Sequence, residues 1–307
     1  MESNISLPEF HILPFFMITN ELYIFNFVYF FLIYLIGIFI NFTIITVIWL
    51  DHHLHTPMYL FLCNLSIIDL CYTTITIPKL LYILLSGNNI ISYSHCFIQI
   101  FFFFLADSAE ITIIFIMAYD RYVAICHPLY YHHILNKKIC RLFILFTWIC
   151  GCFNSSLITS SILKMIFCSL FTIHQFFCDA KALFNITCGG TKVFYTVVYA
   201  ECLVLGLIPF IYNLMSYVKI IKIILRIKSK DGRSKAFSTC SSHLTVMVIF
   251  YGSAISVYMM PPTDNYDLLE QILTVFYTTM VPMLNPLIYS LKNKEVKNSL
   301  KKLLAYY

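Results

Sequence analysis

The chain has 307 residues, of which 60% are hydrophobic and 11% are charged, and its formal net charge is +5. About a quarter of the residues in an ordinary soluble domain are charged, so this composition excludes a typical soluble enzyme or binding domain. It indicates an integral membrane protein, because a helix needs about 20 mainly apolar residues to cross a bilayer.

Seven apolar runs long enough to cross a bilayer follow one another along the chain. They predict an all-α membrane protein, a seven-transmembrane-helix bundle with a short amphipathic C-terminal helix. We expect a single domain over residues 1–307, with an extracellular amino terminus (1–21), a helix bundle (22–291) and a cytoplasmic tail (292–307). The predicted helices are Leu22–Leu50, Pro57–Leu85, Ser94–Cys126, Ile139–Leu163, Val193–Leu225, Ala236–Met260 and Leu268–Leu291.

The basic residues predict the orientation, because short loops rich in Lys and Arg stay on the cytoplasmic side. Sixteen of the 20 Lys and Arg residues lie in or beside the second inner loop, the third inner loop and the tail. The carboxyl terminus is therefore expected inside and the amino terminus outside. The net positive charge then favours anionic lipid or a protein partner rather than nucleic acid.

Two N-glycosylation sequons, at Asn4 and Asn185, fall in segments predicted to be extracellular. Matches at Asn41, Asn64 and Asn154 lie inside predicted helices, so we interpret them as coincidental.

Four of the twelve cysteines face the oxidising outer side, where disulfides persist. Cys96 opens the third predicted helix, and Cys168, Cys178 and Cys188 lie in the long loop before the fifth. Spacing alone allows three pairings of these four cysteines.

Charged and kink-forming residues stand at the inner ends of two helices. The third helix ends in the string MAYDRYVAIC, residues 117–126, which contains the adjacent Asp120 and Arg121. The seventh ends in PMLNPLIY, residues 282–289, where Pro286 removes a backbone hydrogen bond and allows a hinge. Ionisable residues at this depth are costly and usually functional.

One face of the third helix carries Phe103, Glu110 and Arg121 within roughly 20° of one another, with Asp107 about 40° away. Asp107 lies on the order of 20 Å above Arg121 along the axis. This stripe could connect an outer pocket to an inner surface.

The tail pattern predicts an amphipathic helix at the inner membrane surface. Val296, Leu300, Leu303 and Leu304 recur at helical spacing, with lysines between them. Its apolar residues would dip into the inner leaflet while the lysines meet anionic headgroups. A solvated coil is the alternative.

These motifs, together with PMYL at 57–60 and KAFSTCSSHL at 235–244, resemble the olfactory receptors over essentially the whole chain. The resemblance implies an odorant receptor in the plasma membrane, coupled to a stimulatory olfactory-type G protein that raises cAMP. It also implies the disulfides Cys96–Cys178 and Cys168–Cys188, which would pin the outer loop over the bundle as a lid.

The sequence departs from the wider rhodopsin-like pattern as olfactory receptors usually do. Tyr251 stands where a Trp is common, and no acid lies near Lys235–His243. An ionic lock between the third and sixth helices is therefore in doubt, and Asp120 is the remaining partner for Arg121.

The site residues form three groups. The coupling and activation group, implied by the resemblance, is Asp120, Arg121, Tyr122, Tyr217, Asn285, Pro286 and Tyr289. The polar cluster is Asn41, Asp69, Glu110 and Asn285, which we expect to meet because polar residues at mid-membrane depth normally face the interior and find partners. The resemblance implies a structural Na⁺ site at Asp69 and Glu110, and the alternative is one protonated carboxyl sharing a hydrogen bond. From matching family positions the resemblance also implies the ligand residues. The ligand group, in the outer third of the bundle, is Phe103, Phe104, Asp107, Ser108, Glu201, Cys202, Tyr251, Ile255, Tyr258 and Thr278.

The ligand group is mostly apolar or aromatic, which suits a small hydrophobic odorant. Asp107 and Glu201 are the exceptions, and they raise the hypothesis of an amine-bearing or strongly polar odorant. Either acid could instead pair internally or face lipid headgroups.

The two alternative classes of protein are an enzyme and a channel or transporter. His52, His53, His55, His132 and His133 could be imagined as metal ligands of an enzyme, but no Cys or carboxylate partner stands at a recognised spacing, and the chain has no nucleotide-binding Gly loop or HExxH motif. We expect no catalytic residue and no cofactor beyond Na⁺. A channel or transporter would also place polar residues in the membrane, but no repeated halves are evident.

Overall fold

A computed structural model of the protein describes residues 9–14, 23–168, 171–226, 228–258, 267–292 and 294–306. Seven of its helices are long and apolar enough to cross a membrane, and this confirms the predicted bundle. The spans are α1 (Tyr23–Leu50), α2 (Pro57–Ser86), α3 (Tyr93–Cys126), α4 (Lys137–Ile162), α5 (Thr191–Arg226), α6 (Lys230–Tyr258) and α7 (Asp267–Val275, Phe276–Met280 and Val281–Lys292).

The helix ends follow from local capping chemistry. α2 begins at Pro57, whose missing N–H is not needed in the first turn, and ends at Ser86, where Gly87 caps it with a left-handed φ of 69°. The Ser92 and Asn136 side chains accept hydrogen bonds from His95 N–H and Ile139 N–H, and so cap α3 and α4.

α6 begins at Lys230, six residues before the predicted start at Ala236. The Ser229 hydroxyl accepts a hydrogen bond from Gly232 N–H at 3.0 Å, and the Ser229 carbonyl accepts one from Arg233 N–H at 3.0 Å. The prediction was short because hydropathy detects the apolar part of a helix, whereas the added turns are polar.

α3 lies at the centre of the bundle, packed against α2, α4, α5 and α6. Its close approach to α4 depends on Gly151, where an added Cβ would lie 2.8 Å from the Leu105 carbonyl oxygen. Small residues at such crossings let membrane helices approach closely. A central α3 can therefore contact both an outer pocket and the inner face.

α5 and α7 each contain a π-helical segment, Cys202–Leu207 and Phe276–Met280. A π-helical turn rotates the side chains that follow it, and such turns are frequent at functional sites. The sequence predicted these two helices as continuous and gave no sign of the π-helical segments.

Two small sheets cover the outer end of the bundle, which hydropathy did not predict. β1 (Glu9–Ile12) pairs antiparallel with β2 (Ile90–Ser92) and parallel with β4 (Thr172–Ile173), while β3 (Ile166–Phe167) pairs antiparallel with β5 (Thr187–Gly189). Strands of two to four residues are too short to show a periodic pattern.

The tail forms helix α8 (Lys294–Tyr306), in agreement with the predicted amphipathic helix. Its position differs in part from the prediction, because Val296 is buried in the bundle rather than facing lipid. Two contacts dock α8: the Ser299 hydroxyl donates to Asp51 Oδ2 at 2.5 Å, and the Tyr59 hydroxyl donates to Glu295 Oε2 at 2.7 Å. The Leu304 side chain lies outside the described part of the chain.

Candidate functional site

Six members of the predicted ligand group are buried in the outer half of the bundle. Phe103, Phe104, Asp107 and Ser108 come from α3, Tyr251 from α6 and Thr278 from α7. The centroid of the Phe103 ring lies 4.9 Å from that of the Tyr72 ring of α2 and 5.0 Å from that of the Phe177 ring of the outer loop. Phe103 therefore joins the bundle to the loop above it.

The two acids of the ligand group both have internal partners. Asp107 accepts a hydrogen bond from the Tyr277 hydroxyl of α7. Glu201 Oε1 accepts one from the Asn154 carboxamide at 2.7 Å, and the same carboxamide donates to the Ser108 hydroxyl oxygen at 2.8 Å. The pairing alternative raised by the sequence is the arrangement found.

Sequence reasoning missed Tyr277 and Asn154. Asn154 was set aside as a coincidental sequon, although a buried asparagine in a membrane helix normally has a polar partner. That rule could have identified it. Tyr277 offered no such signal in a chain with 22 tyrosines.

The remaining members of the ligand group are placed differently. Cys202 is exposed, and Ile255 is 55% exposed, so neither is enclosed with the six buried residues. The Tyr258 side chain lies outside the described part of the chain. Thr278, in contrast, is one of the six buried members, and its hydroxyl donates to the Thr274 carbonyl of its own helix at 2.8 Å.

The loop between α4 and α5 is tied down over the bundle, and we call its described residues, 166–168 and 171–189, the lid. Disulfides Cys96–Cys178 and Cys168–Cys188 are both present. The Gln99 side chain of α3 accepts a hydrogen bond from Cys178 N–H at 2.9 Å. The lid is thus fixed to α3 at one point by a covalent bond and a hydrogen bond.

Polar contacts fix the lid to α6 and α7 as well. Lys181 Nζ forms an ion pair with Glu270 at 2.9 Å and donates to the Val257 carbonyl at 3.1 Å. Asp179 caps the short lid helix Ala180–Phe184 by accepting from Lys181 N–H and Ala182 N–H. Burial raises the pKa of Asp179 to about 6, although the helix N–H groups oppose the rise.

The predicted polar cluster is assembled at the middle of the bundle. The Asn285 carboxamide donates to Asp69 Oδ1 at 3.1 Å and to Glu110 Oε1 at 2.9 Å, so one residue of α7 bridges acids from α2 and α3. Asn41 instead donates to the Pro282 carbonyl at 3.2 Å and links α1 to α7. Three of the four residues therefore share one site, and Asn41 is its neighbour through α7.

The cluster has oxygen atoms that suit a hard cation. Asp69 Oδ2 and Asn285 Oδ1 of the cluster are buried and have no hydrogen-bond partner among the described residues, and the same holds for Ser66 Oγ, about one helical turn before Asp69 on α2. Carboxylate, hydroxyl and amide oxygens are the ligands that hard cations prefer. The residues present thus fit a Na⁺ ion, although a shared proton would also neutralise one of the two acids.

At the inner end of α3, Arg121 is held by its neighbour. Arg121 Nε donates to Asp120 Oδ2 at 2.9 Å, and Asp120 Oδ1 accepts from the Tyr131 hydroxyl of the second inner loop at 2.8 Å. Burial and the Asp120 carboxylate raise the pKa of Tyr131, so its hydroxyl remains a donor. Asp120 is the partner expected from the lack of an acid near Lys235–His243 of α6.

Tyr217 of α5 joins α6 next to this pair. Its hydroxyl lies 2.6 Å from His243 Nδ1, and both side chains are buried. His243 lies in the KAFSTCSSHL motif but is not among the predicted site residues. The Tyr289 side chain, also predicted to act here, lies outside the described part, and Tyr122 is half-buried beside His127.

Residues 30–306 match the family model for olfactory receptors. The chain belongs to the olfactory receptor family. It is 42% identical over 274 residues to human olfactory receptor 1M1, with 89% of this chain and 88% of the relative covered. It is also 42% identical to rat olfactory receptor 1, with 88% and 86% covered, and to human olfactory receptor 2B2, with 98% and 85% covered.

As an olfactory receptor, the protein is a multi-pass plasma-membrane receptor for an odorant that couples to a G protein, and it is not an enzyme. The structure places three of the five histidines considered as metal ligands next to one another. His52, His53 and His55 lie at or beside a short 3₁₀ turn after α1, where Nδ1 of His52 is 3.3 Å from Nδ1 of His55. Among the described residues, no group of three His, Cys, Asp or Glu could hold a metal ion.

Proposed function

We propose that this olfactory receptor binds a small, mostly hydrophobic odorant in the outer third of its bundle. Binding activates a stimulatory olfactory-type heterotrimeric G protein and raises cAMP. The enclosure around Phe103 carries the proposal, because aromatic side chains from α2, α3 and the lid meet there. Burial of an apolar ligand against such walls releases water and supplies the binding energy.

The proposal includes the orientation, with the amino terminus and Asn185 outside and the tail inside. The basic inner loops support it. Asn185 is exposed at the end of the short lid helix, which suits a glycosylated residue, and Asn4 lies outside the described residues.

Activation is a population shift toward an open inner face. An odorant that binds the active bundle more tightly than the resting one favours it by that difference in free energy. Tyr251 would sense the ligand, and its α6 would move outward at the inner end, away from Arg121. Tyr217 and Tyr289 would stabilise the open form, with Pro286 as the hinge of α7.

A Na⁺ ion held by Asp69, Glu110 and Asn285 would stabilise the resting bundle. The unpaired oxygens of the cluster support this part of the proposal. The Asn285 carboxamide orients both acids whether or not an ion is bound.

An amine-bearing odorant is a narrower proposal about the same pocket. A cationic group would compete with Tyr277 for Asp107 and with Asn154 for Glu201. We expect Asp107→Asn and Glu201→Gln to weaken the response to an amine agonist but not to a neutral agonist of similar size. Equal responses to the amine in wild type and variants would assign both acids to internal pairing.

The decisive experiment is an odorant panel applied to cells that express this chain with a cAMP reporter. An odorant-evoked signal that requires the stimulatory G protein supports the proposal. Purified protein in liposomes should conduct no current with the same odorant, and odorant-evoked flux without G-protein activation would instead indicate a channel or transporter.

A further inference from the structure

A cavity of about 440 Å³ lies between the outer parts of α2 and α3, and none of its lining residues belongs to the ligand group described above. Its polar lining includes Lys79, Ser92, His95 and Gln99. Its apolar lining includes Ile98 and Phe102, which are 53% and 48% exposed. Both side chains lie on the side of α3 that faces away from the bundle. The cavity therefore combines a polar end with an apolar wall that lipid can reach.

Lys79 brings a positive charge into this cavity. It lies seven residues before the end of α2, about 10 Å along the helix axis. Its Nζ donates to the Ile90 carbonyl at 2.7 Å and lies 4.8 Å from the Tyr82 ring centroid. No carboxylate of the described residues lies within 4.0 Å of it. A lysine at membrane depth is costly unless it has partners, and the Ile90 carbonyl takes only one of the three N–H donors of the Lys79 ammonium, which leaves two for an anion.

His95 offers a second donor to the same space. The Ser92 hydroxyl lies 2.8 Å from His95 Nδ1. When Ser92 donates to Nδ1, the ring proton sits on Nε2, which can then donate to an anion.

Gln99, in contrast, has both polar atoms of its side chain engaged by the protein. Its Nε2 donates to the Ile75 carbonyl at 2.8 Å and its Oε1 accepts from Cys178 N–H. The two groups left for a ligand, Lys79 Nζ and His95 Nε2, are thus both hydrogen-bond donors suited to a negative charge.

The apolar wall indicates that the anion carries a hydrocarbon chain. Ile98 and Phe102 are one helical turn apart, so their side chains form a continuous strip along α3. Anionic phospholipids are concentrated in the cytoplasmic leaflet, whereas this cavity is at the outer end of the bundle. A single-chain fatty acid supplies the required charge without a phospholipid headgroup.

We propose that this cavity binds a long-chain fatty acid from the outer leaflet, with its carboxylate at Lys79 and His95 and its chain along Ile98 and Phe102. The site is separate from the odorant pocket, and its place in the outer leaflet rests on the orientation given under the proposed function. It adjoins the Cys96–Cys178 anchor of the lid through Gln99, so its occupant sits beside the point where the lid joins α3.

The test uses the full-length receptor in nanodiscs of zwitterionic lipid and a photoreactive long-chain fatty acid. We expect light-dependent labelling of the α3 segment that contains Ile98 and Phe102, and unlabelled fatty acid should compete with it. Lys79→Gln should reduce the labelling by roughly tenfold, because it removes a charge-assisted hydrogen bond. Lys79→Arg should keep most of it, and Lys192→Gln, at an exposed lysine near the start of α5, should change nothing.

Three results would overturn the proposal: equal labelling by the matching fatty alcohol, unchanged labelling of Lys79→Gln, or stronger competition by phosphatidylserine than by fatty acid. If Lys79→Gln does not yield a monodisperse receptor, the Lys79→Arg variant and the comparison of acid with alcohol on the wild type decide the matter.

Discussion

The outer and inner halves of the bundle are held together by different kinds of interaction. At the outer end, two disulfides and the Lys181–Glu270 ion pair fix the lid to itself and to α3 and α7. At the inner end, Arg121 is held by Asp120, and α5 meets α6 through the Tyr217–His243 hydrogen bond. Covalent ties restrict motion far more than hydrogen bonds do, so the difference favours a fixed end at the proposed ligand site and a movable end at the proposed coupling surface.

The largest expected effect is loss of coupling when the inner end is altered. Arg121→Ala should reduce odorant-evoked cAMP to the level of cells without receptor, because the residue that would face the G protein is gone. Odorant binding and surface expression should persist. Arg141→Gln, at an exposed arginine on α4, is the matched control. Normal nucleotide exchange by Arg121→Ala would contradict the assignment of the inner face.

Removing an outer tie should affect stability rather than coupling alone. Cys178→Ser should lower the free energy of unfolding by about 2–4 kcal/mol, the usual effect of losing a native disulfide. Thermal unfolding of purified receptor measures it, with Cys152→Ser as the control because Cys152 is free and exposed. If Cys178→Ser melts at the same temperature as the wild type, the lid does not depend on its covalent anchor.

The lid should also contribute a pH dependence through Asp179. Its pKa rises from 3.8 to about 6 on folding, so the contribution is greatest below pH 3.8 and is lost as pH rises through 6. Asp179→Asn keeps a capping side chain without the charge, so at pH 7.5 it should be more stable than wild type by at most about 3 kcal/mol. Melting curves of both proteins from pH 5 to 7.5 measure this, and parallel curves would refute it.

The polar cluster between the halves should respond to sodium. With Na⁺ well above its dissociation constant, wild type should gain about 1–2 kcal/mol of stability, and Asp69→Asn should gain none. Potassium at equal ionic strength is the control. A wild type that melts identically in both salts would favour the shared proton over the ion.

Several features were predictable from the sequence because they depend on neighbouring residues or on motifs shared with the family. Both cysteine bridges present in the structure were implied by the family resemblance, and the Asp120–Arg121 pair was expected from the lack of an acid near Lys235–His243. The start of α6 and the burial of Val296 were not predicted. The first depends on polar residues beyond the membrane, and the second depends on how α8 docks against α1 and α2.

The sequence by itself determined the seven spans, the predicted orientation and the family, because apolar length, loop charge and short motifs are each written in consecutive residues. Only the tertiary structure decided which partners the membrane acids take. Asp107 meets Tyr277, 170 residues away, and Glu201 meets Asn154, 47 residues away. Such contacts depend on the rotation and packing of helices, including two π-helical segments, and no local pattern encodes them.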